Sequence, residues 1–156
     1  LGTPVATTSG TSVDVTSIPA GVKRITIMLN GISWGTTSSH LCLQIGDSGG
    51  LETTVYVSAC ATLPNGSGTA ILDTTQFLCS GLDNSAYALS GVITLTLENS
   101  STNTWVMQAV SCQSDTATAY VGSGVKSLSG TLDRFRLKVL AGYTFDAGEC
   151  NYILES

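Results

Sequence analysis

Apolar residues recur at every second position through three long stretches of this chain. Over residues 23–32, Ile25, Ile27 and Leu29 alternate with Arg24, Thr26, Met28 and Asn30. Over 132–140, Phe135, Leu137 and Val139 alternate with Arg134, Arg136 and Lys138, and Ile93, Leu95 and Leu97 alternate with Thr94, Thr96 and Glu98. A period of two puts all apolar members on one face of an extended strand, one face meeting a core and the other meeting water. Segments 13–16, 41–45, 53–61, 105–110, 119–125 and 150–154 are further strand candidates, rich in the branched side chains that suit a pleated surface.

Turn signals separate these segments: Pro19-Ala20-Gly21, Asp47-Ser48-Gly49-Gly50, Pro64-Asn65-Gly66, Asn99-Ser100-Ser101 and Ala141-Gly142. Regularly spaced turns between short strands predict an all-β, antiparallel β-sandwich, jelly-roll-like, in one domain. A chain of 156 residues is long enough to bury a sizeable core. One helical turn near residues 82–89 is the single helical alternative. Residues 1–12, rich in Thr, Ser and Gly, read as a lead-in from a longer polypeptide, with the β-sandwich domain over 13–156.

Charge narrows the function. Charged residues are 11% of the chain and the net charge is −5, with the six cations confined to Lys23–Arg24, Lys126 and Arg134/Arg136/Lys138. Nucleic-acid binding needs clustered Lys and Arg that release counterions, so no nucleic-acid partner is expected. No apolar run approaches the ~18 residues of a membrane span, so no membrane insertion is expected either. The five cysteines, Cys42, Cys60, Cys79, Cys112 and Cys150, include no C-x-x-C pair, and there is a single histidine. This pattern argues against zinc and a disulfide framework, and for small buried hydrophobes in a reducing compartment. No metal or cofactor is expected.

The string Gly46-Asp47-Ser48-Gly49-Gly50 matches the nucleophile motif of chymotrypsin-like serine proteases. That chemistry needs a distant histidine as base, but the only histidine, His40, lies eight residues upstream. The string is better read as a glycine-rich turn with local Asp and Ser hydrogen bonds. Glycoside hydrolysis needs paired carboxyl groups, whereas Asp47, Asp83, Asp115 and Asp146 sit singly at turns. Asn65-Gly66-Ser67 and Asn99-Ser100-Ser101 fit the N-glycosylation pattern and read equally as turns. The chain is expected to be non-catalytic.

Trp34 lies among glycine and hydroxyl side chains in the segment 31–40, between two strand patterns. An exposed ring flanked by Thr36, Thr37 and His40 would suit a sugar: the ring face packs on C–H groups while short polar side chains bond hydroxyls. Packing against a neighbouring subunit or against its own loop are the alternatives. Trp105 falls inside a strand pattern and reads as core, and His40 at a loop end reads as solvated or bonded to backbone.

Four stretches together carry a resemblance: residues 18–31 (IPAGVKRITIMLNG), 44–54 (QIGDSGGLETT), 128–136 (LSGTLDRFR) and 144–148 (TFDAG). In order and spacing they resemble the distal, C-terminal head domains of bacteriophage tail fibres and tailspikes, over residues 13–154. The resemblance implies a β-sandwich at the tip of a homotrimeric fibre in the virion, assembled in the host cytoplasm and attaching the particle to a bacterial cell-surface polysaccharide. It supplies no set of ligand residues. Trp34, Thr36, Thr37 and His40 are therefore the candidate binding residues on chemistry alone. A structural module that trimerises or caps the fibre, with recognition or hydrolysis elsewhere in the parent chain, is the alternative.

Overall fold

The computed structural model describes residues 1–36, 39–64 and 68–156. Among the described residues, thirteen strands alternate with short turns: β1 (Val5–Ala6), β2 (Ser12–Val15), β3 (Arg24–Trp34), β4 (Ser39–Asp47), β5 (Gly50–Leu51), β6 (Val57–Leu63), β7 (Thr69–Asp73), β8 (Phe77–Leu82), β9 (Leu89–Asn99), β10 (Thr104–Gln113), β11 (Ala119–Ser127), β12 (Arg134–Val139) and β13 (Phe145–Glu155). All pairings are antiparallel. One sheet runs β1-β13-β3-β9-β10-β11-β6-β7; the other runs β2-β12-β4, with β5 and β8 both pairing β4. The chain is an all-β sandwich. The helical alternative at 82–89 is absent from the described residues, whose one helical element is a 3₁₀ turn at Leu140–Gly142. No helix among them is long and apolar enough to cross a membrane.

The alternation seen in the sequence builds the core directly. Ile25, Ile27 and Leu29 of β3, Ile93 and Leu95 of β9, and Trp105 and Met107 of β10 form one buried cluster with Leu41, Leu43 and Ile45 of β4 and Phe135, Leu137 and Val139 of β12. β8 is different: all six of its residues are buried. Its backbone lies against β11, where a Cβ on Gly122 would fall 2.4 Å from the Leu78 carbonyl oxygen and one on Gly124 would fall 2.7 Å from the Phe77 ring. The absence of side chains at these two positions is what lets the second sheet close this tightly on the first.

Residues 5–7 join the fold, although the segment reads as a lead-in. Val5 and Ala6 pair with Cys150 and Glu149, and buried Thr7 donates its N–H to the Gly148 carbonyl (2.9 Å) and its hydroxyl to the Ala147 carbonyl (2.8 Å).

Three of the four stretches that carry the resemblance, 18–31, 44–54 and 128–136, meet around the β4–β5 turn. Ile18 N–H donates to the Asp133 carbonyl (2.8 Å), and Asp133 N–H donates to the Gly46 carbonyl (3.1 Å). Ser129 donates its N–H to Glu52 Oε1 (2.7 Å) and its hydroxyl to Asp47 Oδ2 (2.7 Å). These hydrogen bonds hold the Asp47 carboxyl below its ordinary range, the Ser129 hydroxyl contributing most. Within the turn itself, Asp47 Oδ1 accepts the Gly49 N–H at 2.8 Å. The Gly46–Gly50 string is thus a strand-to-strand turn with exposed Ser48 at its tip. Beside it, buried Lys126 pairs with Glu52 and sits 5.4 Å from the Tyr56 ring centroid.

Candidate functional site

The expected exposure of Trp34 is corrected by the structure. Trp34 is the last residue of β3, opposite Phe145 of β13, and is fully buried. The cause is a β-bulge: the β3–β9 register slips between Leu29 and Ile32, with Gly31 at φ 65°. One extra residue shifts the phase of the alternation, so Ile32 and Trp34 turn inward where an uninterrupted strand would point them out. A ring with no exposed face offers no stacking platform for a sugar. Its indole Nε1 has no hydrogen-bond partner among the described residues. Thr36 is half-buried on the following turn, its N–H donated to the Trp34 carbonyl at 2.8 Å. Thr37 lies outside the described residues, as does the Asn65-Gly66-Ser67 string.

His40 has a different setting. It is the second residue of β4, paired with Gly81 of β8, and lines a cleft of about 140 Å³ at the edge of the sandwich. Ser39 beside it, Thr62 of β6, Thr69 of β7, Asp83 just past β8, and Tyr120 of β11 complete the polar lining among the described residues. Thr62 stands between Tyr120 and Thr69 in the large sheet, paired to both. Three neighbouring strands thus present their side chains to the cleft across from His40. Gly81 seats the tyrosine, since a Cβ there would fall 2.7 Å from Tyr120 Cε1.

Hydrogen bonds fix the floor. Gln113 Oε1 accepts from the Tyr120 hydroxyl (3.1 Å) and from the Asp83 N–H (2.8 Å). Burial lowers the His40 pKa, and the Asp83 charge only partly opposes this, so the imidazole is neutral at pH 7 with one donor and one acceptor nitrogen. Burial first, and then the Asp83 charge, push the Tyr120 phenol well up, keeping its O–H protonated. Cys60, also on the wall, is raised to about 11 by burial and is a thiol rather than a nucleophilic thiolate.

The arrangement offers a carboxylate, a neutral imidazole, a phenol and two threonine hydroxyls to one small space. Together these groups make a small surface of hydrogen-bond donors and acceptors that carries one carboxylate. Nucleophilic chemistry has little to work with. Ser39 and His40 are consecutive in a strand and point to opposite faces, and the Ser39 hydroxyl donates to the Leu140 carbonyl at 3.3 Å. Ser48 lies eight residues along β4 from His40, roughly 26 Å at ~3.3 Å per residue. Asp83 is the sole carboxylate among the described lining residues, and glycoside hydrolysis uses two.

Of the sequence candidates, His40 alone lines this cleft among the described residues. Asp83, Tyr120, Thr62 and Thr69 were not anticipated. Period-two reading turns Tyr120 inward, but pairing between strands distant in sequence is what assembles the group. No protein-family model matches this chain, and neither a curated protein nor a solved structure matches it.

Proposed function

We propose that this chain is a non-catalytic receptor-binding module of a bacteriophage tail fibre or tailspike, acting in the virion as a homotrimer and holding a bacterial surface polysaccharide at the His40 cleft. The observation that carries the reading is the convergence of His40, Asp83, Tyr120, Thr62 and Thr69 on one open, hydroxyl-rich space. The sign of the charge adds detail. A chain of net charge −5 with Asp83 in its cleft gains nothing from long-range attraction to anionic glycans. The two oxygens of a carboxylate can each accept from a sugar hydroxyl, so neutral sugar units fit best.

The structural alternative has its own support. Three of the four stretches that resemble fibre tips bond to one another around the β4–β5 turn, far from His40 at the other end of β4. A module whose characteristic residues build its frame suits trimerisation or capping.

Titration calorimetry of the intact protein against a panel of purified lipopolysaccharides and capsular polysaccharides separates the two. Binding that falls at least tenfold in H40A and D83N, with thermal unfolding preserved, supports recognition at the cleft. Absence of binding to every polysaccharide leaves the structural module. New reducing ends after incubation would overturn the non-catalytic reading.

A further inference from the structure

The eight-stranded sheet has an outer face that changes character halfway across. On β13 and β3 it carries charges: Glu149 bonded to Asn30, and Arg24 paired with Glu155 at 3.5 Å. From β9 to β7 the outward positions follow from the register, which aligns Val92, Val110, Val121, Ala61 and Ala70 in one row across five strands. Rows to either side hold Cys112 with Ala119 and Leu63, and Gln108 with Ser123, Ala59 and Leu72. Apart from Glu98 near the end of β9, no strand residue on this half of the face is charged.

Its apolar members are well exposed: Val57 68%, Leu72 78%, Val110 60%, Leu63 52%, Val121 43% and Val92 42%. A groove of about 450 Å³ crosses it, lined by Val57, Ala59, Leu72, Val106, Ser123 and Val125. Five strands at ~4.8 Å spacing and seven residues at ~3.3 Å rise give a plan area on the order of 550 Å². That is at the upper end of the ~300–600 Å² typical of the largest apolar patch on a monomer. With side-chain relief it approaches the ~800 Å² that each partner contributes to a standard interface.

We propose that this face, from β9 to β7, is where a second copy of this chain docks. Charge selects the occupant. The chain carries net charge −5, so two copies repel through most of their surfaces. The uncharged half-face is where they can meet without desolvating a carboxylate or facing like charges, and it has no charge with which to select an oppositely charged partner. Val110, the most exposed valine of the row, is the anchor.

This rests on the self-association part of the reading above and is independent of the sugar part. Sedimentation velocity from about 1 to 100 μM tests it, with V110E as the disrupting variant and T26E, on the charged half of the same sheet, as control. Val110 is exposed, so V110E keeps its far-UV spectrum and unfolding temperature. Burying its unpaired charge costs several kcal/mol, which weakens association by at least about 100-fold. T26E associates as the parent does. Cys112 is the one exposed thiol among the described residues and lies on this face. Its reaction with a thiol reagent is therefore slowed at least tenfold in the associated protein and restored in V110E. A parent protein that stays monomeric removes both this surface and the self-association reading. An oligomer that V110E leaves intact, or one whose Cys112 reacts freely, removes this surface alone.

Discussion

Removing the partner of Lys126 should cost more than any surface substitution in this protein. The Lys126 side chain is 4% exposed, paired to Glu52 and placed over the Tyr56 ring. Burial alone would raise the Glu52 carboxyl, but Lys126 and Ser129 outweigh it and hold the carboxyl below its ordinary range. E52Q keeps an oxygen for the Ser129 N–H and removes only the charge. Breaking a buried ion pair from one side costs about 3–5 kcal/mol. Glu52 is 22% exposed, and the Tyr56 ring retains part of the attraction, which brings the expected loss to about 2–4 kcal/mol. At ~3 °C per kcal/mol for a chain of this size, Tm falls by about 6–12 °C. Urea unfolding followed by circular dichroism measures this directly. E52Q/K126M, which replaces the pair with neutral groups, should recover most of the loss. The stabilisation from a depressed carboxyl is present above its unfolded value near 4.5 and disappears as pH falls through the folded value. A loss below about 1 kcal/mol in E52Q, or a double variant no more stable than E52Q, would refute the argument.

Gly148 stands at φ 89°, and a Cβ there would fall 2.4 Å from the Gly31 carbonyl oxygen. G148A combines left-handed strain with a backbone clash and should lose at least ~2 kcal/mol in the same urea assay. His40 supplies a pH dependence of opposite origin to the carboxylates. Its folded pKa lies below 6.5, so the unfolded chain binds the proton more readily, and unfolding free energy should drop as pH is lowered from about 6.5 towards 5. H40Q should flatten that part of the profile, as read by Tm across buffers.

The sequence made the fold legible wherever one face of a strand meets water. Ile25-Ile27-Leu29, Ile93-Leu95 and Phe135-Leu137-Val139 all point to the core as their alternation requires. β8 escaped because Phe77 to Leu82 is buried on both faces and so shows no period of two. Trp34 was misplaced by one inserted residue, whose effect on phase depends on a bulge at Gly31 that the opposing bulge at Gly148 accommodates. For the cleft, His40 was identified but its companions were not. Asp83 looks like any turn aspartate, and Tyr120 reaches His40 only through the packing of β11 on β8. Packing between residues eighty apart leaves no local mark.

The cysteines have a practical consequence. Cys42, Cys60, Cys79 and Cys150 are buried, and desolvation raises the first two to about 12 and about 11, with Cys79 well above its ordinary value. Cys42 and Cys60 lie near enough to Cys79 to raise its pKa further, and Cys60 does the same to Cys42. While the sandwich is closed, these sulfurs have neither the charge nor the access to react. Once it opens they are released together, and oxidant then meets three neighbouring thiols on a loose chain. In the folded protein a reductant therefore has only exposed Cys112 to guard, whereas it matters a great deal to recovering the chain from denaturant.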